Sequence, residues 1–237
     1  MTPARRLGPV DDYGDVVHPP FTTVQFFDVF RRYNEAVWPL QIALLAIGLI
    51  AAYSAYRADL RRSWRAAQLA IMLVAALWLW CGIAYHRVFF ASLTPAGKIF
   101  ALFFIAEALL LAAAARQNGA PFVRASRSSI VIGTLLVSYA LVFYPAIGFA
   151  LGQRYPAMPT FGVPCPTTIF TFGIFCLLPA RVPRFAMVIP ILWSLIASYA
   201  ALGFGVGEDA GLIVAAVAAI IVVRRGAYRA HLAHVAV

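Results

Sequence analysis

Seven apolar runs, at about 36–56, 66–88, 98–115, 129–151, 165–180, 185–204 and 210–223, divide this chain between short arginine-bearing loops. A segment needs about 20 mostly apolar residues to cross the hydrocarbon core of a bilayer. The fifth and seventh runs fall short of that length. In hydrocarbon every backbone donor and acceptor must be satisfied by protein, so runs of this kind are expected to be helices. The bulk composition agrees: 63% of the residues are hydrophobic and 12% charged, against about 25% charged in a soluble domain. The expected fold class is all-α, a polytopic transmembrane helix bundle of about seven spans. Residues 1–20 read as a disordered tail rich in proline and aspartate, 21–223 as a single membrane domain, and 224–237 as a cytoplasmic basic tail.

The net charge of +10 would suit a nucleic-acid partner, but the basic residues sit in inter-helix loops, where they act as topology signals and lipid-headgroup contacts. No nucleic-acid binding is expected; the partner is the bilayer, with either a second copy of the chain or another membrane protein. Twelve basic residues fall on one side of the seven spans, in the loops 57–65, 116–128 and 181–184 and after residue 223; seven fall on the other. Positive loops face the cytoplasm, so the C-terminus is expected inside a bacterial inner membrane and the N-terminus outside. The first 35 residues hold no apolar run of signal-peptide type, and the first span is expected to direct insertion. Three cysteines, Cys81, Cys165 and Cys176, are too few for a disulfide framework.

Before the first span, FTTVQFFDVFRRYN (21–34) carries a helix-start signal at Thr22 or Thr23. Its aromatic residues gather on one side, as in a short helix lying on a membrane surface. The most distinctive segment is YPAMPTFGVPCPTTIFTFG (155–173), with four prolines and Cys165 at the beginning of the fifth run. Pro164 and Pro166 mark a structural break, because proline removes a backbone donor and clashes with the preceding turn. Irregular backbone at membrane depth survives only inside protein or beside a wet cavity.

Candidate ligand- or ion-binding residues follow from polarity in apolar surroundings. Glu107 lies roughly 14 Å below Lys98 along a helix, near mid-membrane, where a carboxyl is either protonated or paired. It reads as a proton or cation relay, or as a neutral packing group. Glu35, His86, Cys165, Thr167 and Thr168 cluster toward the outer ends of their spans and suggest a polar vestibule there. The threonine hydroxyls also suit carbonyls freed near the break. Glu208 and Asp209 precede an apolar run and read as first-turn acids complementing a helix dipole. Cys165 has no CxxC or CxC companion, and no HExxH, Walker, GxSxG or Rossmann pattern occurs. No metal, cofactor or catalytic residue is therefore expected.

The blocks YNEAVWPLQ (33–41), WLWCGIAYHRVFF (78–90) and YPAMPTFGVPCPTTIFTFG (155–173), with VIPILWSLIASYAALGFGVGEDAGL (188–212), resemble a bacterial multi-pass membrane family of unknown function. The resemblance runs from about 21 to 223 and implies a helical integral membrane protein, with no catalytic residue. The expected function is a small-solute or ion permease with a periplasm-facing polar site. The alternative is a non-transporting scaffold or sensor subunit, and an intramembrane enzyme ranks last.

Overall fold

The computed structural model describes residues 21–117 and 124–235. The tail expected at 1–20 lies outside the described residues. Among the latter every named element is a helix. Helix α1 spans Thr23–Val37, α2 Leu40–Arg61 and α3 Trp64–Trp80, which runs on as a π-helical stretch, Cys81–Phe89, and a 3-10 turn, Phe90–Ser92. Next come α4 (Ala96–Arg116) and α5 (Arg127–Ser138), the latter joined by a π-helical Tyr139–Phe143 to α6 (Tyr144–Ala150). Helix α7 is Pro164–Leu177; α8 (Val188–Phe204) and α9 (Gly211–Val235) each follow a 3-10 turn.

Six continuous helical stretches are long and apolar enough to cross a membrane: Leu40–Arg61, Trp64–Ser92, Ala96–Arg116, Arg127–Ala150, Arg184–Phe204 and Gly207–Leu232. Their outward faces carry large apolar side chains such as Leu102, Leu109, Leu135, Leu202 and Val214. So much contiguous apolar surface points to a membrane protein, since soluble proteins rarely expose it. The fifth apolar run is different. Helix α7 has 14 residues, about 21 Å at 1.5 Å per residue, and is sheathed by α2, α3, α5, α8 and α9. Thirteen of its residues are buried, and the exception is Cys165. The run that looked too short to be a good span is the post around which the others pack. Helices α5 and α7 cross where Gly133 meets Gly173; a Cβ on either would stand 2.9 or 3.1 Å from the other's carbonyl oxygen. Small residues permit this backbone approach.

Helix α1 is a separate element. Thr22 caps it with a reciprocal pair, its hydroxyl accepting from Gln25 N–H and the Gln25 side chain accepting from Thr22 N–H, which satisfies two end donors at once. Val29, Phe30, Tyr33, Asn34 and Val37 are its buried face, set against the π-helical end of α3. At the other end of the molecule, Asp59 accepts from the N–H of Ala125 at 2.7 Å, the Arg181 guanidinium lies over Trp64, and Pro179 packs on Gly226. Most of the arginines gather there. Arg224, Arg225 and Arg229, placed in a tail on sequence grounds, continue α9 as helix.

Candidate functional site

The site begins with the extended segment that precedes α7. Residues 155–163 are not helical, so their carbonyls need partners from elsewhere. Asn34, wholly buried, supplies two of them, its amide donating to Pro156 O at 2.6 Å and Met158 O at 2.8 Å. The Asn34 carbonyl oxygen in turn accepts from Gln41 at 2.6 Å and from the Thr160 hydroxyl at 3.0 Å. Tyr33 donates to Gly162 O at 3.2 Å and accepts from the Trp80 indole at 2.7 Å; burial pushes its phenol above the ordinary range. The Cys81 thiol also donates to Gly162 O. Gly162 itself has φ +97°, and a Cβ there would stand 2.6 Å from Leu44. The three sequence blocks singled out above therefore meet in one hydrogen-bonded network.

Proline gives α7 an unusual start. A helix leaves its first four N–H groups without intrahelical acceptors. Here Val163 N–H donates to Thr160 O, Pro164 and Pro166 have no N–H, and Thr167 N–H makes the first regular bond to Val163 O. Only Cys165 N–H is left over. Pro-Cys-Pro thus begins a buried helix with the fewest orphan donors, in place of interrupting one. Thr168 and Thr171 donate their hydroxyl protons to Pro164 O and Thr167 O, each at 2.8 Å, and Thr171 accepts from the Trp78 indole at 2.9 Å. The Thr167 hydroxyl lies 3.6 Å from the Cys81 sulfur.

Beside the start of α7 is a partly enclosed cavity of about 80 Å³. Aromatic rings from five elements form much of its wall, and its polar side chains are Tyr85, His86, Tyr144, Cys165, Trp193 and Asp209. Both π-helical stretches serve it. On an α-helix, residues five apart point about 140° away from each other, whereas i→i+5 bonding brings them to one side. Tyr139 and Tyr144 are five apart and both reach the Gly207–Ala210 turn: Tyr139 donates to Glu208 O at 2.7 Å and Tyr144 to the Asp209 carboxylate. The π-helical end of α3 buries Tyr85 and His86 together. His86 packs among Phe104 and Trp193, with ring centroids 4.5 and 5.0 Å away, and neither ring nitrogen has a hydrogen-bond partner. The Cys165 thiol approaches Asp209 and the Trp193 indole. Phe21 and Phe26 stack on Phe204 at 5.1 and 4.6 Å, so that α1 roofs the cavity.

Of the residues singled out by sequence, His86 and Cys165 line this cavity; Glu35, Glu107, Thr167 and Thr168 do not. Glu35 is exposed and paired with Arg31 at 3.1 Å. Glu107 is buried with neither oxygen bonded, on the helical face that carries Phe100 and Phe104 toward His86. Asp209 stands in the first helical turn ahead of α9, as expected, and has a second role that sequence reasoning missed. Two acids ahead of an apolar run resemble a helix cap, yet Asp209 is 4% exposed and held by Tyr144. The signal that would have flagged it is the isolated polarity of Tyr144 late in an otherwise apolar run. Among the described residues no group of three His, Cys, Asp or Glu side chains is arranged to hold a metal ion.

The comparisons with known proteins give a family and no activity. Residues 23–234 match the Family of unknown function (DUF6064). The chain belongs to that family. No match was found among curated proteins or solved structures.

Proposed function

We propose that this protein is a permease for a small solute in a bacterial inner membrane, and that the cavity between α1, the π-helical end of α3, α7 and α8 is its binding site. The observation that carries the reading is the half-length helix α7. Transporters of several folds form their sites from discontinuous helices that begin inside the bundle. Here a buried helix starts at a cavity, after an extended segment held by side chains. The distribution of arginines supports an orientation with the cavity toward the periplasm and the C-terminus of α9 toward the cytoplasm. The seven-span count then includes α7 together with the extended segment leading into it. The cavity stops short of Glu107, which on this reading is reached in another conformation of the cycle. Glu107, unbonded on the face that continues from His86, suits a carboxyl that takes up and releases a proton during the cycle.

The test is uptake by the purified chain in proteoliposomes across a panel of labelled solutes, with and without a pH gradient. Flux above that of protein-free vesicles is expected for at least one solute. Glu107→Gln should abolish its dependence on the gradient while leaving downhill exchange. No flux for any solute would overturn the permease reading. A periplasmic location for a C-terminal tag would overturn the orientation.

A further inference from the structure

We infer that the cavity takes a small organic ammonium cation, a reading that names the solute class of the permease proposed above. The reasoning begins with charge. Asp209 is the one carboxylate among the cavity-lining residues, and no lysine or arginine accompanies it. Its neighbours there are the Tyr144 hydroxyl and the Cys165 thiol, both neutral donors. On α1, by contrast, Asp28 is paired with Arg31 and Arg32, and Glu35 with Arg31. A buried carboxylate with neutral partners has to gain a positive counterpart or take up a proton. The cavity beside it is where the counterpart fits.

The walls select among positive ligands. Nine phenylalanine, tyrosine and tryptophan rings line the space, and aromatic faces attract cations that are poorly hydrated, with alkylated ammonium groups the best examples. A metal ion is better served by several oxygen, nitrogen or sulfur ligands. His86, Cys165 and Asp209 do not form a set arranged for that purpose among the described residues. Size sets a further limit, since about 80 Å³ holds only a few water-sized groups. Ammonium ions from methylammonium to trimethylammonium headgroups fall in that range.

Anions are disfavoured by the same construction. A helix N-terminus ordinarily offers several free N–H groups to an anion. Pro164 and Pro166 remove two of them at α7 and Val163 uses a third, so only Cys165 N–H remains. The cavity thus pairs a carboxylate with a helix start stripped of anion-binding donors. A neutral solute would leave the Asp209 carboxylate uncompensated unless it were protonated.

The full chain, purified in detergent, can be titrated by calorimetry with methylammonium, tetramethylammonium and choline, alongside uncharged isosteres of the same shape and acetate. Saturable binding of at least one ammonium ion is expected, with the isostere about tenfold weaker or more and no binding of acetate. Asp209→Asn should weaken the cation by a similar factor. Trp193→Leu, which keeps the carboxylate and its hydroxyl donor, should weaken the cation about threefold to tenfold and so guards against a misfolded first variant. Equal binding of cation and isostere, or no binding of any ammonium ion to the folded chain, overturns the inference. The two proposals separate cleanly. Cation binding without flux in proteoliposomes would remove the permease and leave the ligand class; flux of a neutral solute without cation binding would do the reverse.

Discussion

The two ends of the bundle solve the same problem with different means. At the arginine end, helices start in ordinary ways: Ser63 and Ser126 cap α3 and α5 by accepting from Ala66 N–H and Ser129 N–H, and one carboxylate, Asp59, ties α2 to the loop before α5. Burial lowers the Arg181 guanidinium only to about 10, so it remains charged at neutral pH. At the cavity end, the backbone is irregular for nine residues and helical periodicity changes twice. There the chain uses Tyr33, Asn34 and Cys81 to satisfy carbonyls that a helix would have satisfied itself, with Gln41 and Trp80 donating to Asn34 and Tyr33 in turn. The cavity lies where the chain commits these side chains to its irregular backbone.

The contrast can be broken at its strongest point by Asn34→Ala. The substitution leaves Pro156 O and Met158 O buried without their donor, at about 1–3 kcal/mol each. A loss of about 2–5 kcal/mol is expected in the unfolding free energy of the detergent-solubilised chain, followed by tryptophan fluorescence. Next in size is Gly162→Ala, which meets both an unfavourable φ and Leu44; about 1–3 kcal/mol is expected. At the arginine end, Ser126→Ala removes a single cap and should cost about 1 kcal/mol. If the Ser126 variant proves as damaging as the Asn34 variant, the two ends are equivalent and the contrast fails. Smallest of all is Glu107→Gln, which replaces an unbonded carboxyl by a neutral isostere and should leave thermal stability unchanged or slightly raised.

Much of the architecture could be read from residue order alone. Apolar length marks the long helices, and Thr22 with Gln25 announces α1. Proline density marks the non-helical stretch ahead of α7. Other features could not be read. Periodicity arguments assume 3.6 residues per turn, so the π-helical shifts at Cys81–Phe89 and Tyr139–Phe143, which turn Tyr85, His86 and Tyr144 toward one space, leave no trace in the pattern. The uniform apolarity of α7 is the same whether lipid or protein surrounds it; only tertiary packing shows that it is sheathed. Asp209 was hidden for a related reason, since an acid at a helix start has a local role that masks a distant partner such as Tyr144.

The position of Cys165, partly buried at the cavity wall, has a practical consequence. Cys81 and Cys176 are shut away in the core, so a thiol reagent entering through the cavity meets a single sulfur. Its labelling rate would report how open the cavity is to solvent, and an occupant should slow it. The protein carries its own footprinting probe, in place and needing no engineered cysteine.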